Sequence, residues 1–103
     1  MKIRARLDNV PFHELTPQVQ SNILKAHRSM QAAMIQLRAA RKLERETGDG
    51  HYAGAYFLLK AAIRDIEDIA LYSPSSFAVH VEALKLGFRF EQLAERIHRA
   101  MQN

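Results

Sequence analysis

Three acidic side chains lie close together in the sequence and are of a type that does acid–base chemistry or holds a metal. Asp65, Glu67 and Asp68 occur within one short segment, and paired carboxylates are common groups for both tasks. Lys60 and Arg64 alternate with them on the side of a predicted helix away from its apolar residues. We therefore interpret the acidic group as a solvated, salt-bridged helix face.

The histidine and serine residues also form no recognisable catalytic or metal-binding pattern. None of the five histidines pairs with another at the four-residue spacing of zinc-binding helices. Glu95 and His98 have the spacing of half a di-iron site, but a full site needs a second such pair and two more glutamates. Ser73, Ser75 and Ser76 precede a predicted helix, which indicates capping. We predict no enzymatic activity, no cofactor, no metal and no small-molecule substrate.

Basic residues form the most suggestive polar group. Residues 1–46 hold nine Lys or Arg against four acids, so the net charge of +4 is concentrated in the first half of the chain. Steps of three, one and three bring four of these cations to one side of a predicted helix end: Arg38, Arg41, Lys42 and Arg45. Such a group can contact phosphates or an acidic protein. The simpler interpretation is favourable charge at a helix C-terminus.

The first seven residues, MKIRARL, alternate between apolar and basic side chains. A period of two predicts an extended strand, with Lys2, Arg4 and Arg6 on its basic face. The sequence offers no second strand, so this segment is either a mobile arm or pairs with another molecule. Some DNA-binding proteins pair such strands across a dimer.

Three helices must position these side chains. Apolar residues at steps of four and three predict helices at about 17–47, 50–72 and 74–101. Thr16 followed by Pro17 is a typical helix start, Gly48 a typical helix end, and Asp49 a predicted cap of the second helix. The seam predicted for the first helix consists of Val19, Ile23, Ala26, Met30, Ala33, Leu37 and Ala40.

The middle helix has two adjoining apolar stripes, whereas a helix with a single neighbour needs only one. One stripe runs through Tyr52, Tyr56, Leu59, Ile63, Ile66 and Ala70, and the other through Ala55, Leu59, Ala62, Ile66 and Ile69. We therefore predict an all-α, antiparallel three-helix bundle at residues 16–103, preceded by an extended basic N-terminal arm at residues 1–15.

The third helix raises two further questions. Gly87 interrupts its apolar seam, so a continuous helix competes with a helix–turn–helix arrangement, and the unbroken spacing favours the continuous helix. A second apolar stripe lies beside the seam and needs cover: Phe77, Val81, Leu84 and Phe88. The N-terminal segment, a second subunit or a partner protein would each provide it.

These features favour a small non-enzymatic interaction protein, such as an adaptor, an inhibitor or a regulatory subunit, that binds another protein. The alternative is a nucleic-acid-binding regulator that uses the basic strand and the basic end of the first helix. We also expect a homodimer from the spare stripe and the unpaired strand. Without cysteine or an apolar run long enough to cross a membrane, we expect a cytoplasmic protein and no membrane partner.

Overall fold

The computed structural model describes residues 7, 10–72 and 77–102, and only the backbone of residues 70–72. Within these ranges it contains three α-helices: α1 (Pro17–Thr47), α2 (Ala53–Tyr72) and α3 (Phe77–Gln102). A short 3-10 helix at Phe12–Glu14 precedes α1, and the described residues include no strand. The prediction of an all-α protein with three helices is therefore confirmed for the described part of the chain.

α1 begins and ends at local sequence signals. The Thr16 hydroxyl accepts a hydrogen bond from the Val19 N–H at 3.3 Å, and Pro17 occupies the first turn. Gly48 ends the helix in the left-handed conformation, with a φ of 81°, and its N–H donates to the Glu44 carbonyl at 2.8 Å. Both predicted caps of α1 are confirmed. All seven residues of its predicted seam are buried.

α2 begins at Ala53, so the prediction that Asp49 caps this helix is wrong. Tyr52 is buried, and its backbone carbonyl accepts the hydrogen bond of the Tyr56 N–H at 3.0 Å. At Gly50 the chain passes so close to α1 that an added Cβ would lie 3.0 Å from the Ala40 carbonyl oxygen. The chain therefore crosses α1 in a non-helical conformation, and α2 begins only after this contact.

α2 packs against both other helices. Ala55, Leu59, Ala62, Ile66 and Ile69, which form the second predicted stripe, are all buried. On the α1 side Gly54 approaches Gln36, and on the α3 side Ile66 approaches Gly87. The buried residues of all three helices form one core, to which Leu7 and Leu15 also belong.

α3 is a continuous helix through Gly87, and the helix–turn–helix alternative is wrong. Its buried residues include Val79, Ala83, Leu86, Phe90 and Ile97, which lie on one side of the helix and form its apolar seam. The buried set also includes Glu82, which sequence patterning did not predict, and its carboxylate accepts a charge-assisted hydrogen bond from Lys85 at 3.2 Å. The predicted start of this helix at residue 74 lies outside the described residues, as do Lys2, Arg4 and Arg6 of the predicted strand.

Gly87 within α3 and Gly48 at the end of α1 are expected to respond in opposite ways to substitution by alanine. Gly87→Ala should raise the free energy of unfolding by about 0.5–1 kcal/mol, because glycine in a helix interior costs conformational entropy. There is also room for the added methyl, since a Cβ at Gly87 would lie 3.6 Å from the Ile66 side chain. Gly48→Ala should lower the free energy of unfolding by about 1 kcal/mol, because Gly48 has a positive φ that is unfavourable for alanine. Urea denaturation of both variants measures the two changes, and a destabilising Gly87→Ala would contradict a continuous α3.

Candidate functional site

The outer side of α3 carries three exposed large apolar side chains, Phe77, Leu84 and Phe88. Steps of four, three and four place Phe77, Val81, Leu84 and Phe88 on the helix side opposite its buried seam, so the prediction that this stripe lies beside the seam is wrong. Phe77 is 81% exposed, Leu84 54% and Phe88 65%, while Val81 is half-buried. We call these four residues the outer face of α3. The described residues of the N-terminal segment, 7 and 10–15, leave Phe77, Leu84 and Phe88 exposed.

A groove adjoins the outer face of α3 at Phe88. It has a volume of about 310 Å³ and runs between α2 and α3. Its walls are formed by aromatic, acidic and small side chains: Tyr56, Phe88, Glu91, Gln92, Ala94, Glu95 and His98. Because Phe88 belongs to both features, the outer face and the groove form one continuous surface with an apolar half and a polar half.

The two carboxylates and the histidine of this groove already have partners. Glu91 pairs with Lys60 of α2 at 3.5 Å, and Glu95 pairs with Arg99 one turn further along α3 at 2.9 Å. The His98 ring lies 5.8 Å from the Tyr56 ring. Glu95 and His98 are thus placed as an ion-pair partner and a ring-stacking partner. Among the described residues, no group of three or more acidic or histidine side chains is arranged to hold a metal.

The basic group at the end of α1 is fully on the surface. Arg38, Arg41, Lys42 and Arg45 are all exposed. Arg38, Lys42 and Arg45 have no carboxylate within 4.0 Å among the residues that the structure describes. Arg41 lies near the hydroxyl of Tyr52, where its positive charge acts to lower the pKa of that side chain. This end of α1 therefore presents three cations that are free to contact an anionic partner.

Tyr52 links the end of α1 to the start of α2. Its hydroxyl donates a hydrogen bond to the Glu44 carboxylate. This bond raises the pKa of Tyr52 above 10.0, and burial and the negative charge of Glu44 raise it further. A tyrosine in this state keeps its proton at neutral pH and is poorly suited to act as a base. We interpret the pair as a structural joint that sequence patterning missed, because the two residues belong to different elements.

The acidic group of α2 is less solvated than its sequence suggests. Glu67 is exposed, but Asp65 and Asp68 are half-buried. Burial raises the pKa of the Asp65 carboxyl above 3.8, Asp68 raises it further, and the nearby charge of Lys25 on α1 opposes the shift. Lys60 pairs with Glu91 of α3 rather than with this group. Asp65 is accordingly placed at the contact between α1 and α2.

Comparisons with known proteins found no matching family model, no matching curated protein and no matching solved structure. In the described part of the chain, no helix is both long enough and apolar enough to cross a membrane.

The Tyr52–Glu44 joint makes stability depend on pH in the alkaline range. The pKa of Tyr52 is higher in the folded protein than in the unfolded chain. The contribution of protonated Tyr52 to the free energy of unfolding is therefore fully present below pH 10 and is lost as the pH rises through the folded pKa. We expect the free energy of unfolding of Tyr52→Phe to fall less steeply above pH 10 than that of the natural protein. Urea denaturation at several pH values measures both slopes.

Glu44→Gln provides the matched control for this prediction. It keeps an acceptor for the Tyr52 hydroxyl but removes the negative charge, so the pKa of Tyr52 should fall toward its ordinary value. Absorbance titration of the tyrosines near 295 nm, with Tyr52→Phe as the blank, follows this group. Equal pKa values for Tyr52 in the natural protein and in Glu44→Gln would contradict the role given to Glu44.

Proposed function

We propose that this protein is a small non-enzymatic interaction protein that binds another protein through the outer face of α3. The observation that carries the proposal is the exposure of Phe77, Leu84 and Phe88 on one helix side. Scattered apolar residues are normal on a protein surface, whereas contiguous apolar patches mark sites of interaction. With the half-buried Val81 between Phe77 and Leu84, these side chains occupy successive turns of one helix, so they form a patch.

The size of the patch supports a protein partner. If a phenylalanine side chain carries about 200 Å² of surface, the outer face of α3 exposes roughly 400 Å² of apolar surface. An ordinary protein interface buries about 800 Å² on each partner, of which somewhat more than half is apolar. The outer face of α3 therefore has the area expected for the apolar centre of such an interface.

The neighbouring groove would supply the polar edge of the same interface. Glu91, Glu95 and His98 lie along its walls, next to Phe88. Interfaces commonly surround an apolar centre with a polar, solvent-accessible rim. Phe57 is 72% exposed on α2, and its ring lies 6.3 Å from that of Tyr56, so it would extend the aromatic part of this surface.

The proposed role is that of an adaptor, an inhibitor or a regulatory subunit in the cytoplasm. An absence of cysteine from these 103 residues is compatible with a reducing compartment. We further propose that the helices run antiparallel. This is supported by two contacts in which the chain meets earlier residues of α1 as it advances into α2, namely Gly50 with Ala40 and Gly54 with Gln36.

Leu84→Glu tests the proposed function, because it places a charge in the centre of the outer face. We expect a tagged Leu84→Glu protein to lose at least 90% of the protein that the natural chain captures from native lysate, with or without nuclease. Ile35→Glu is the matched control, since Ile35 is an exposed aliphatic residue on α1 and is 65% exposed. Quantitative mass spectrometry measures the capture. Equal losses of captured protein for both variants, or no loss for either variant, would contradict the proposal.

A second candidate function is nucleic-acid binding by the basic end of α1. The observation that favours it is that Arg38, Lys42 and Arg45 are exposed and have no carboxylate within 4.0 Å among the described residues. Exposed cations release counterions when they contact phosphates, and this release drives binding that is largely independent of sequence. The sequence prediction for this function also includes Lys2, Arg4 and Arg6, which lie outside the described residues.

Charge reversal at the basic end distinguishes this candidate from the first. If these cations contact phosphates, Arg38→Glu with Lys42→Glu should weaken duplex DNA binding equally for unrelated sequences. The salt slope should fall by about one for each phosphate that is no longer neutralised. Leu84→Glu should leave DNA affinity unchanged. Fluorescence anisotropy over a series of salt concentrations measures both effects. An absence of DNA binding by the natural protein at about 50 mM salt would exclude this function.

A further inference from the structure

The outer face of α3 has a symmetry of its own. Its residues follow one another at steps of four, three and four, and their types are aromatic, aliphatic, aliphatic and aromatic. The order is therefore the same from either end, with its midpoint between Glu82 and Ala83. From this symmetry we infer that the partner of the outer face is a second copy of this chain, whose α3 packs against it in the opposite direction. The inference rests on the proposed function, because it names the partner of the same surface.

A two-fold symmetric interface requires each contact to occur twice, once from each subunit. Antiparallel pairing about this midpoint meets that requirement. Phe77 of one copy would lie beside Phe88 of the other, and Val81 would lie beside Leu84. Every layer would then join two apolar side chains, as in the seam of an antiparallel coiled coil, which uses the same alternation of three and four residues. Phe77 of the second copy would also lie at the mouth of the groove that Phe88 borders.

The charges along α3 favour the antiparallel direction. The same spacing continues beyond Phe88 to Glu91 and Glu95. In a parallel pair these two residues would face their own copies, and like charges placed opposite one another disfavour association. In the antiparallel pair the two acidic halves point away from each other, at opposite ends of the contact. Beside the contact, Lys85 of one copy would face the exposed Ala78 of the other, so these positions bring no like charges together.

The available area predicts a dimer of moderate affinity. Two outer faces together would bury about 800 Å² of apolar surface, and polar atoms at the edge would bring the total toward the lower limit of stable interfaces. We therefore expect a dissociation constant in the micromolar range. The protein should be mainly monomeric at about 1 µM and mainly dimeric at about 500 µM.

Sedimentation equilibrium with the natural protein tests whether this dimer forms. The average mass should rise from that of the monomer toward twice that value over this concentration range. Leu84→Glu should remain monomeric throughout, whereas Ile35→Glu should associate as the natural protein does. Circular dichroism should show the same helix content for both variants, since both positions are exposed. A natural protein that stays monomeric at about 500 µM would overturn the inference.

A single spin label distinguishes the direction of pairing. The chain has no cysteine, so Arg96→Cys introduces one labelling site on an exposed position of α3 outside the proposed contact. In the antiparallel dimer the two labels would be separated by the rise of roughly 27 residues, about 40 Å. Pulsed electron–electron double resonance at high protein concentration measures the distance between the two labels. A dominant distance below about 25 Å would indicate parallel pairing and overturn the inference.

Failure of this inference is distinguishable from failure of the proposed function. A natural protein that remains monomeric, while Leu84→Glu still loses a captured lysate protein that Ile35→Glu retains, would overturn self-association and leave protein binding by the outer face intact. A protein in which Leu84→Glu changes neither self-association nor capture would overturn both.

Discussion

The burial of α2 on two sides is the constraint on which the rest of the structure depends. Its buried residues cover more than one stripe, from Ala55 and Leu59 to Ile63 and Ile69. A helix with this much apolar surface is stable in water only between two neighbours. α1 and α3 meet this need, and each buries one side of its own in doing so. The outer sides of α1 and α3 then remain available for binding, and they differ in chemical character.

The two outer sides differ in charge and in polarity. At its C-terminal end the outer side of α1 is basic, with Arg38, Lys42 and Arg45 exposed to solvent. Phe77, Leu84 and Phe88 make the outer side of α3 apolar. Contacts with phosphates depend strongly on salt, whereas apolar contacts depend mainly on the area removed from water. On our two proposals, the contributions of these surfaces to binding are therefore separable by their dependence on salt.

Local sequence signals predict those parts of the fold that are determined locally. The α1 seam from Val19 to Ala40 and the caps at Thr16 and Gly48 depend on spacing and on single residue types, and all are as expected. The start of α2 depends instead on Tyr52 meeting Glu44 across the joint, a tertiary contact that no local pattern encodes. Burial of Glu82 is a similar case, although its position three residues after Val79 places it at the edge of the seam. For the candidate site, spacing identified the second apolar stripe on α3, while the exposure of that stripe and the groove beside it depend on how the helices pack.

The outer face of α3 is, on our proposal, the binding surface of this protein. Amide chemical shifts of the ¹⁵N-labelled chain, followed while it is diluted from about 500 µM to about 10 µM, test this proposal residue by residue. We expect concentration-dependent shifts at residues 77–88 and around the groove, with α1 residues 24–42 unchanged. Chemical-shift changes confined to α1 would contradict the proposal. So would a spectrum that changes neither on dilution nor when a lysate protein that binds the natural chain is added.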